Sequence, residues 1–356
     1  MNIETGFNLS DFTTFKTGGK ADFYITVEKE EHLHEALEFA KKRNLEVFIL
    51  GGGSNILVSD EGFRGLVIHN KIKGIGVDDA DKQNALVAAG GGELWDDFVC
   101  YTVENALYGV ECLSAIPGTV GAAPVQNIGA YGQNADSAIL EVHTIGIKDG
   151  IKRIFAKDEC EFDYRKSIFN TTQKSNYIIY KVIFQLQRNG TVVINYPEIK
   201  NYLKNNDTPS QQAVRSAVID IRSKKGMVVM DGHEGYKSAG SFFKNPVVDS
   251  HVYEYVRGVV DSTNGCQNWA WPLSDNSEVK LSAACLIQLS GYVRGYRKGN
   301  VGISPKHALS VINIAGATSS EIVAFVREVQ ETVYNKFGVL IAPEVQFVGF
   351  ERPALL

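Results

Sequence analysis

The chain is 356 residues long, 44% hydrophobic and 22% charged, with a formal net charge of −5. That length buries a proper core in two or three domains, and the mild negative charge excludes a general nucleic-acid binder; an anionic ligand has to be met by local Lys and Arg. The five cysteines (Cys100, Cys112, Cys160, Cys266, Cys285) are scattered without a C-x-x-C pair, which suggests neither a disulfide framework nor a zinc site, and no metal is expected. Met1–Ser10 lacks a basic-then-apolar leader, and no apolar run approaches ~18 residues, so a cytoplasmic protein without membrane association is expected.

In chain order, Ala21–Val27 is β-rich. Glu30–Arg43 carries Leu33, Ala36, Leu37 and Ala40 at helical spacing, with acids early and Lys41, Lys42 and Arg43 late, the order that suits a helix dipole. Two apolar runs, Val47–Leu50 and Ile56–Val58, flank Gly51, Gly52, Gly53, Ser54 and Asn55, and read as strand, tight loop, strand. Three glycines allow positive φ and close approach of main chain to a ligand, and consecutive N–H groups in such a turn form an anion-binding concavity. The alternatives are a phosphate-binding loop and a plain glycine-rich connection. The spacing is neither G-x-x-x-x-G-K-[ST] nor G-x-G-x-x-G.

Leu66–Asn70, Gly74–Val77 and Leu86–Ala89 read as strands, and Glu93–Asn105 as an amphipathic helix with Leu94, Phe98 and Tyr101 on one side and Trp95 in packing. The stretch from Ser114 to Gly132 is crowded with small residues, which favours close approach to a ligand over an unbroken run of structural turns. Glu141–Ile147 and Ile151–Phe155 form a hairpin around Asp149–Gly150, and Tyr177–Leu186 is a long strand. Pro209–Lys225 is a helix capped by Ser210, and residues 226–236 mark a boundary. Beyond it come a helix at Val248–Val259, a polar loop at 261–278 and a helix at Val279–Leu289. A strand at Ala308–Ile314, a helix at Ser319–Phe337 and a closing strand at Val339–Gly349, interrupted by Pro343–Glu344, complete the set.

No H-E-x-x-H and no G-x-S-x-G occurs. His307 is the one histidine placed as a ligand contact. Arg165, Ser241 and Glu344 are polar residues in apolar or small-residue surroundings. A carboxyl in an apolar run is costly unless paired or protonated, so Glu344 is either salt-bridged to a nearby Lys or Arg or held for chemistry.

GGGSNILV at 51–58, IPGTVGAAPVQNIGAYG at 116–132, YRKSIF at 164–169, GSFFKNP at 240–246 and APEVQF at 342–347 occur in that order. Together they resemble the UDP-N-acetylenolpyruvoylglucosamine reductase (MurB) family, type I, between residues 10 and 350. The resemblance implies an α+β fold: a two-part FAD-binding domain of the vanillyl-alcohol-oxidase (PCMH) type at 1–70 and 71–226, then an α+β substrate-binding domain at 227–356 whose last strand returns to the active site. It implies reduction of UDP-N-acetyl-3-O-enolpyruvylglucosamine to UDP-N-acetylmuramate in peptidoglycan precursor synthesis, with NADPH as co-substrate, non-covalent FAD, and hydride passing from the reduced flavin to the substrate. By match of motifs, Ser241 protonates the substrate carbon, while Arg165 and Glu344 stabilise the developing enolate, Glu344 as a donor only where burial raises its pKa. Gly51, Gly52, Gly53, Ser54 and Asn55, with Ser114, Ile116, Pro117, Gly118, Gly121 and Ala122, would hold FAD, and Tyr164 would lie near the flavin. Tyr196, Lys225, Asn245, Lys280 and His307 would meet the substrate, Tyr196 from the mobile loop of the type I branch. Ala122 stands where many relatives have glycine, and Trp271 about where type I relatives often have a tyrosine. A monomer is expected.

Two other readings are open. A flavin oxidase of the same fold often binds FAD covalently through His or Cys in or near its glycine loop, and Gly51–Asn55 contains neither. A nucleotide-sugar-binding protein without catalysis is opposed by the retention of Arg165, Ser241 and Glu344.

Overall fold

The computed structural model describes residues 2–78, 81–204, 206, 208–228, 237–263, 266–273 and 277–351. It divides into two compact units: Met1–Phe7, Ala21–Gly53 and Arg64–Gly235 form the first, and Asn8–Lys20, Ser54–Phe63 and Tyr236–Leu356 the second.

In the first unit, a four-stranded sheet runs in the order Glu4–Asn8, Lys20–Val27, Phe63–Asn70, Glu46–Leu50. The last two strands are parallel, and Leu50 pairs with His69. The helix Glu30–Lys42 connects Lys20–Val27 to Glu46–Leu50 and buries Leu33, Ala36, Leu37 and Ala40, the stripe its spacing predicts, against a core that contains Ile25, Val27, Leu66 and Ile68. Each fully buried leucine there contributes on the order of 1.5–3 kcal/mol of transfer free energy.

A second sheet of six strands is antiparallel along Lys152–Ala156, Ile139–Gly146, Tyr177–Arg188, Asn84–Gly90 and Ile75–Asp78, with Leu107–Tyr108 also pairing to Tyr177–Arg188. The hairpin expected around Asp149–Gly150 is its first pair. The helix Trp95–Glu104 buries Trp95, Phe98, Val99 and Thr102 on this core. Leu94 is 44% exposed, so the packed face is not the Leu94–Phe98–Tyr101 side that the sequence suggests. Trp95 is fully buried and its Nε1–H donates to the Leu113 carbonyl at 3.0 Å, a packing role with its polar group satisfied. The helix Gln211–Lys224 is capped as expected: the Ser210 hydroxyl accepts from the Ala213 amide.

The second unit corrects the strand–loop–strand expectation. Ile56–Val58 is a strand, yet it does not share a sheet with Glu46–Leu50; it pairs in parallel with Gln346–Val348. The glycine loop is therefore where the chain leaves one unit for the other. Leu57 and Phe15 are fully buried in a core with Phe242, Phe243, Leu286, Phe325, Val329 and Phe337. Ser319–Phe337 is a helix over the predicted span, with Thr318 and Glu321 capping each other and Gly338 closing it at φ 66°. Asp60 adds a carboxylate to its N-terminus, accepting from the Ser319 and Ser320 amides at 2.7 and 2.8 Å.

Several expectations fail here. Val279–Leu289 is not one helix: Glu278–Leu281 is a strand, Ser282 caps, and the helix is Ala283–Leu289. Val247–Asp249 is a strand and the next helix is Ser250–Asp261, with Asp249 as its cap. The expected strands at 308–314 and 339–349 shrink to Val311–Asn313 and Gln346–Val348. Within 261–278, Ala270–Pro272 is a strand, while residues 264–265 and 274–276 lie outside the described residues, as does 229–236 of the expected boundary. Cys266 and Cys285 are joined in a disulfide with Cα atoms 6.0 Å apart. Wide spacing in sequence did not keep them apart, because the 266 segment folds back onto the helix that carries Cys285. Among the described residues no helix is long and apolar enough to cross a membrane.

Candidate functional site

In the first unit the glycine loop lies against the small-residue segment. A Cβ on Gly52 would stand 2.7 Å from the Gly118 Cα, and one on Gly51 would stand 2.8 Å from the Thr119 Oγ1. Two main chains approach where no side chain fits, with Gly53 at φ 63° and Gly118 at φ 121°. Such a cradle of bare backbone fits the diphosphate of a dinucleotide. Gly121 has a different reason to be glycine: its Cβ would meet the Ile179 and Gly91 carbonyls at 2.8 and 2.9 Å. The segment is anchored to the second sheet's end by Gly121 N–H to Gly91 O and Val120 N–H to Glu93 O, both 2.9 Å. Ser114 is fully buried, and its hydroxyl and its amide both donate to the Glu111 carbonyl, at 2.7 and 3.4 Å, so its side chain braces the segment's own turn. Ile116 and Pro117 are half-buried and Ala122 is exposed.

Three charged residues that sequence reasoning missed hold this segment. Asp96 accepts from the Ala115 amide and forms a two-pronged ion pair with Arg215 at 2.6 and 2.8 Å. Arg222 donates to the Ala115 carbonyl at 3.2 Å and to the Met227 carbonyl at 3.0 Å; burial holds its pKa below the usual arginine value. Ala115 itself sits at φ 58°, an uncommon conformation for alanine that these partners fix from both sides. The signal was present: Arg215 and Arg222 fall seven apart on the apolar face of their helix with Val214, Val218 and Ile221.

Arg165 also lies in this unit, at φ 54°. Its Nη2 donates to the Gly129 carbonyl at 2.7 Å, its Nη1 reaches the Asn127 carbonyl at 3.5 Å, and its guanidinium carbon lies 5.4 Å from the Tyr164 ring centre. Tyr164 is 40% exposed. The structure brings Tyr196 and Lys225 together. The Lys225 ammonium pairs with Glu198 at 2.6 Å and lies 5.4 Å over the Tyr131 ring, which meets Tyr196 edge-on at 5.4 Å. Burial pushes the Tyr131 phenol up to about 12 and raises Tyr196 as well.

In the second unit the segments of Ser241 and Glu344 run side by side. The Glu344 amide donates to the Phe242 carbonyl at 2.8 Å, and the Lys244 amide to the Ala342 carbonyl at 2.9 Å. Asn55 joins them, its side-chain amide donating to the Glu344 carbonyl at 3.2 Å. The His307 Nδ1 accepts from the Leu309 amide at 3.2 Å, and the Leu309 carbonyl accepts from the Phe242 amide at 2.8 Å, so the histidine's turn braces the serine's segment. Asn245 Oδ1 accepts from the Ala283 amide at 3.0 Å, at the start of the helix Ala283–Leu289. Lys280 lies on the strand Glu278–Leu281, directly opposite Trp271, which is 41% exposed.

Comparison with known proteins bears on both units. The family "FAD binding domain" matches residues 21–151, and "UDP-N-acetylenolpyruvoylglucosamine reductase, C-terminal domain" matches residues 232–348. A solved structure, UDP-N-acetylenolpyruvylglucosamine reductase (MurB) from Thermus caldophilus, is similar with a TM-score of 0.65 at 25% identity, covering 98% of this chain and 99% of that one. The UDP-N-acetylenolpyruvoylglucosamine reductase of Porphyromonas gingivalis (strain W83) is 34% identical over 98% of this chain and 100% of its own. That of Thermobifida fusca is 36% identical over 96% of both chains, and at such identity over nearly full length this chain belongs to the UDP-N-acetylenolpyruvoylglucosamine reductase family, with FAD as its cofactor.

Proposed function

We propose that this chain reduces UDP-N-acetyl-3-O-enolpyruvylglucosamine to UDP-N-acetylmuramate with NADPH, in peptidoglycan precursor synthesis in the cytoplasm. Full-length kinship at 36% identity carries this reading, supported by Arg165, Ser241 and Glu344 standing in the family's motifs. FAD, when bound, supplies a two-electron carrier between NADPH and the enolpyruvyl group. Gly51–Gly53 and Gly118 offer its diphosphate a cradle without side chains.

The residues' own tasks follow from charge. Hydride arriving at the methylene carbon leaves negative charge on the neighbouring carbon, delocalised into the carboxylate. Arg165 supplies fixed positive charge to that enolate; two backbone carbonyls orient its guanidinium in advance. Glu344, half-buried, acts as a donor in its protonated form. Ser241 gives its hydroxyl proton to the carbon, from a segment whose next residue, Phe242, is clamped by Glu344 and Leu309. Tyr196, Lys225, Asn245, Lys280 and His307 bind the sugar nucleotide. Lys225 leaves Glu198 for the ligand's diphosphate, a better partner because it carries more charge.

Stopped-flow measurement of the two half-reactions tests this. Ser241→Ala is expected to leave flavin bleaching by NADPH within about twofold while slowing reoxidation by the enolpyruvyl substrate by about 10²–10⁴-fold. Equal loss in both halves would refute the serine's role. Rapid peroxide formation with oxygen and an alcohol would favour an oxidase.

A further inference from the structure

A buried pair, His69 and Tyr24, has no part in the assignments above. His69 ends the strand Phe63–Asn70 and is 3% exposed; Tyr24, on the neighbouring strand Lys20–Val27, is also 3% exposed. The Tyr24 hydroxyl and the His69 Nδ1 are 2.6 Å apart. The Thr26 hydroxyl donates to the Tyr24 oxygen at 3.3 Å, which leaves the Tyr24 proton to point at the histidine. Tyr24 is held flat against Phe7, ring centres 3.6 Å apart. Because Leu50 pairs with His69 across the parallel strands, the histidine ring stands beside the first residue of the glycine loop, and it hydrogen-bonds the Gly51 backbone.

We propose that His69, locked in one tautomer by Tyr24, is a positioning residue that turns the glycine loop's amides toward the cofactor diphosphate. The proposal rests on the assignment of FAD to this loop. A neutral imidazole has one N–H. With Nδ1 accepting from Tyr24, that N–H is on Nε2 and donates to the Gly51 carbonyl. Burial first, and then Lys71, push the ring's pKa down to about 4, so it stays neutral at physiological pH. A trans peptide is planar, with its C=O and the following N–H pointing opposite ways. Drawing the Gly51 carbonyl inward to His69 therefore points the Gly52 N–H outward, and Gly52 is the exposed member of the triple glycine. Glycine on both sides makes this peptide easy to flip. Flipped, it would present a carbonyl oxygen to a diphosphate, so the histidine holds the loop in the state that attracts the anion.

The holoenzyme is stripped of flavin and FAD rebinding is measured by quenching of flavin fluorescence, alongside the apoprotein's thermal midpoint. His69→Leu should weaken FAD binding by about tenfold, the worth of one well-placed hydrogen bond. His69→Gln, whose side-chain amide can still donate to Gly51, should stay within about threefold. In holoprotein labelled with ¹⁵N-histidine, His69 should show the Nε2–H tautomer. Tyr24→Phe keeps the ring stacked on Phe7 and should both weaken FAD by about threefold and admit the Nδ1–H form. Equal weakening by Leu and Gln, FAD binding unchanged in His69→Leu, or a wild-type Nδ1–H tautomer would overturn the proposal. If His69→Leu does not fold, Tyr24→Phe decides: unchanged affinity and tautomer overturn it. Retention of FAD by Gly52→Val would instead remove the cofactor assignment on which the proposal stands.

Discussion

His69 also sets a pH limit. Its folded pKa lies at about 4 against the ordinary 6.5, lowered chiefly by burial, so the unfolded chain binds its proton first as pH falls. The stability that neutral His69 contributes is complete above about pH 6.5 and is lost between there and pH 4, in all roughly 3 kcal/mol. Urea unfolding at a series of pH values should show that slope, and His69→Gln should flatten it; an unchanged slope in the variant counts against the assignment. Among single residues, what the sequence revealed depended on contrast with neighbours. Ser241 and Glu344 stand out because a polar group interrupts apolar or small residues. His69 does not, since it follows FRGLVI as an ordinary strand end would, and its partner Tyr24 lies 45 positions away. Asp96 looks like a helix-dipole acid near an N-terminus; only the fold reveals that it holds Ala115 and Arg215.

At the level of elements, local pattern succeeded where one period persists. Ser319–Phe337 has a capping box, one apolar face and a C-terminal glycine, and its bounds were legible from these alone. It failed where an apolar strand runs straight into an apolar helix. In Val279–Leu289 the polar residues Lys280, Ser282 and Gln288 are isolated among apolar and small ones, a pattern a single helix also accommodates, and this obscured Ser282 as the cap. The glycine loop shows the same division: that bare backbone closes in there was legible, but the parallel pairing of the strand that follows it with Gln346–Val348 was not. Gly52→Val puts a branched side chain where even a Cβ meets the Gly118 backbone at 2.7 Å, and backbone cannot move aside as a flexible side chain can. Purified Gly52→Val is expected to lack the flavin absorption bands while keeping the wild-type far-UV circular dichroism. A yellow variant with normal FAD stoichiometry would show that the two loops do not share the cofactor.

For the whole molecule, the α+β class and the FAD-binding part could be argued from ordered motifs, but the interleaving could not. Motifs fix sequence order, whereas Phe15 and Leu57 reach the second unit's core through contacts more than 170 positions long. A fragment spanning residues 237–351 lacks both side chains, the strand Ile56–Val58 and the Asp60 cap. Losing large core side chains costs about 2–5 kcal/mol each, against a typical total of about 5–15 kcal/mol. That fragment is expected to give a collapsed NMR amide region without a cooperative urea transition; a dispersed spectrum would contradict it. The parallel pairing of Ile56–Val58 with Gln346–Val348 has a further consequence, in time rather than in space. On the ribosome, Asn55 emerges 289 residues before Glu344, the residue whose carbonyl its side chain meets. The far end of the glycine loop thus waits, without its partners, until Glu344 and Gln346–Val348 have been made. Contacts of such separation form late and slowly. Flavin should load fully onto nascent chains only after Val348 has left the exit tunnel, making cofactor capture a report that the strand Gln346–Val348 has been synthesised.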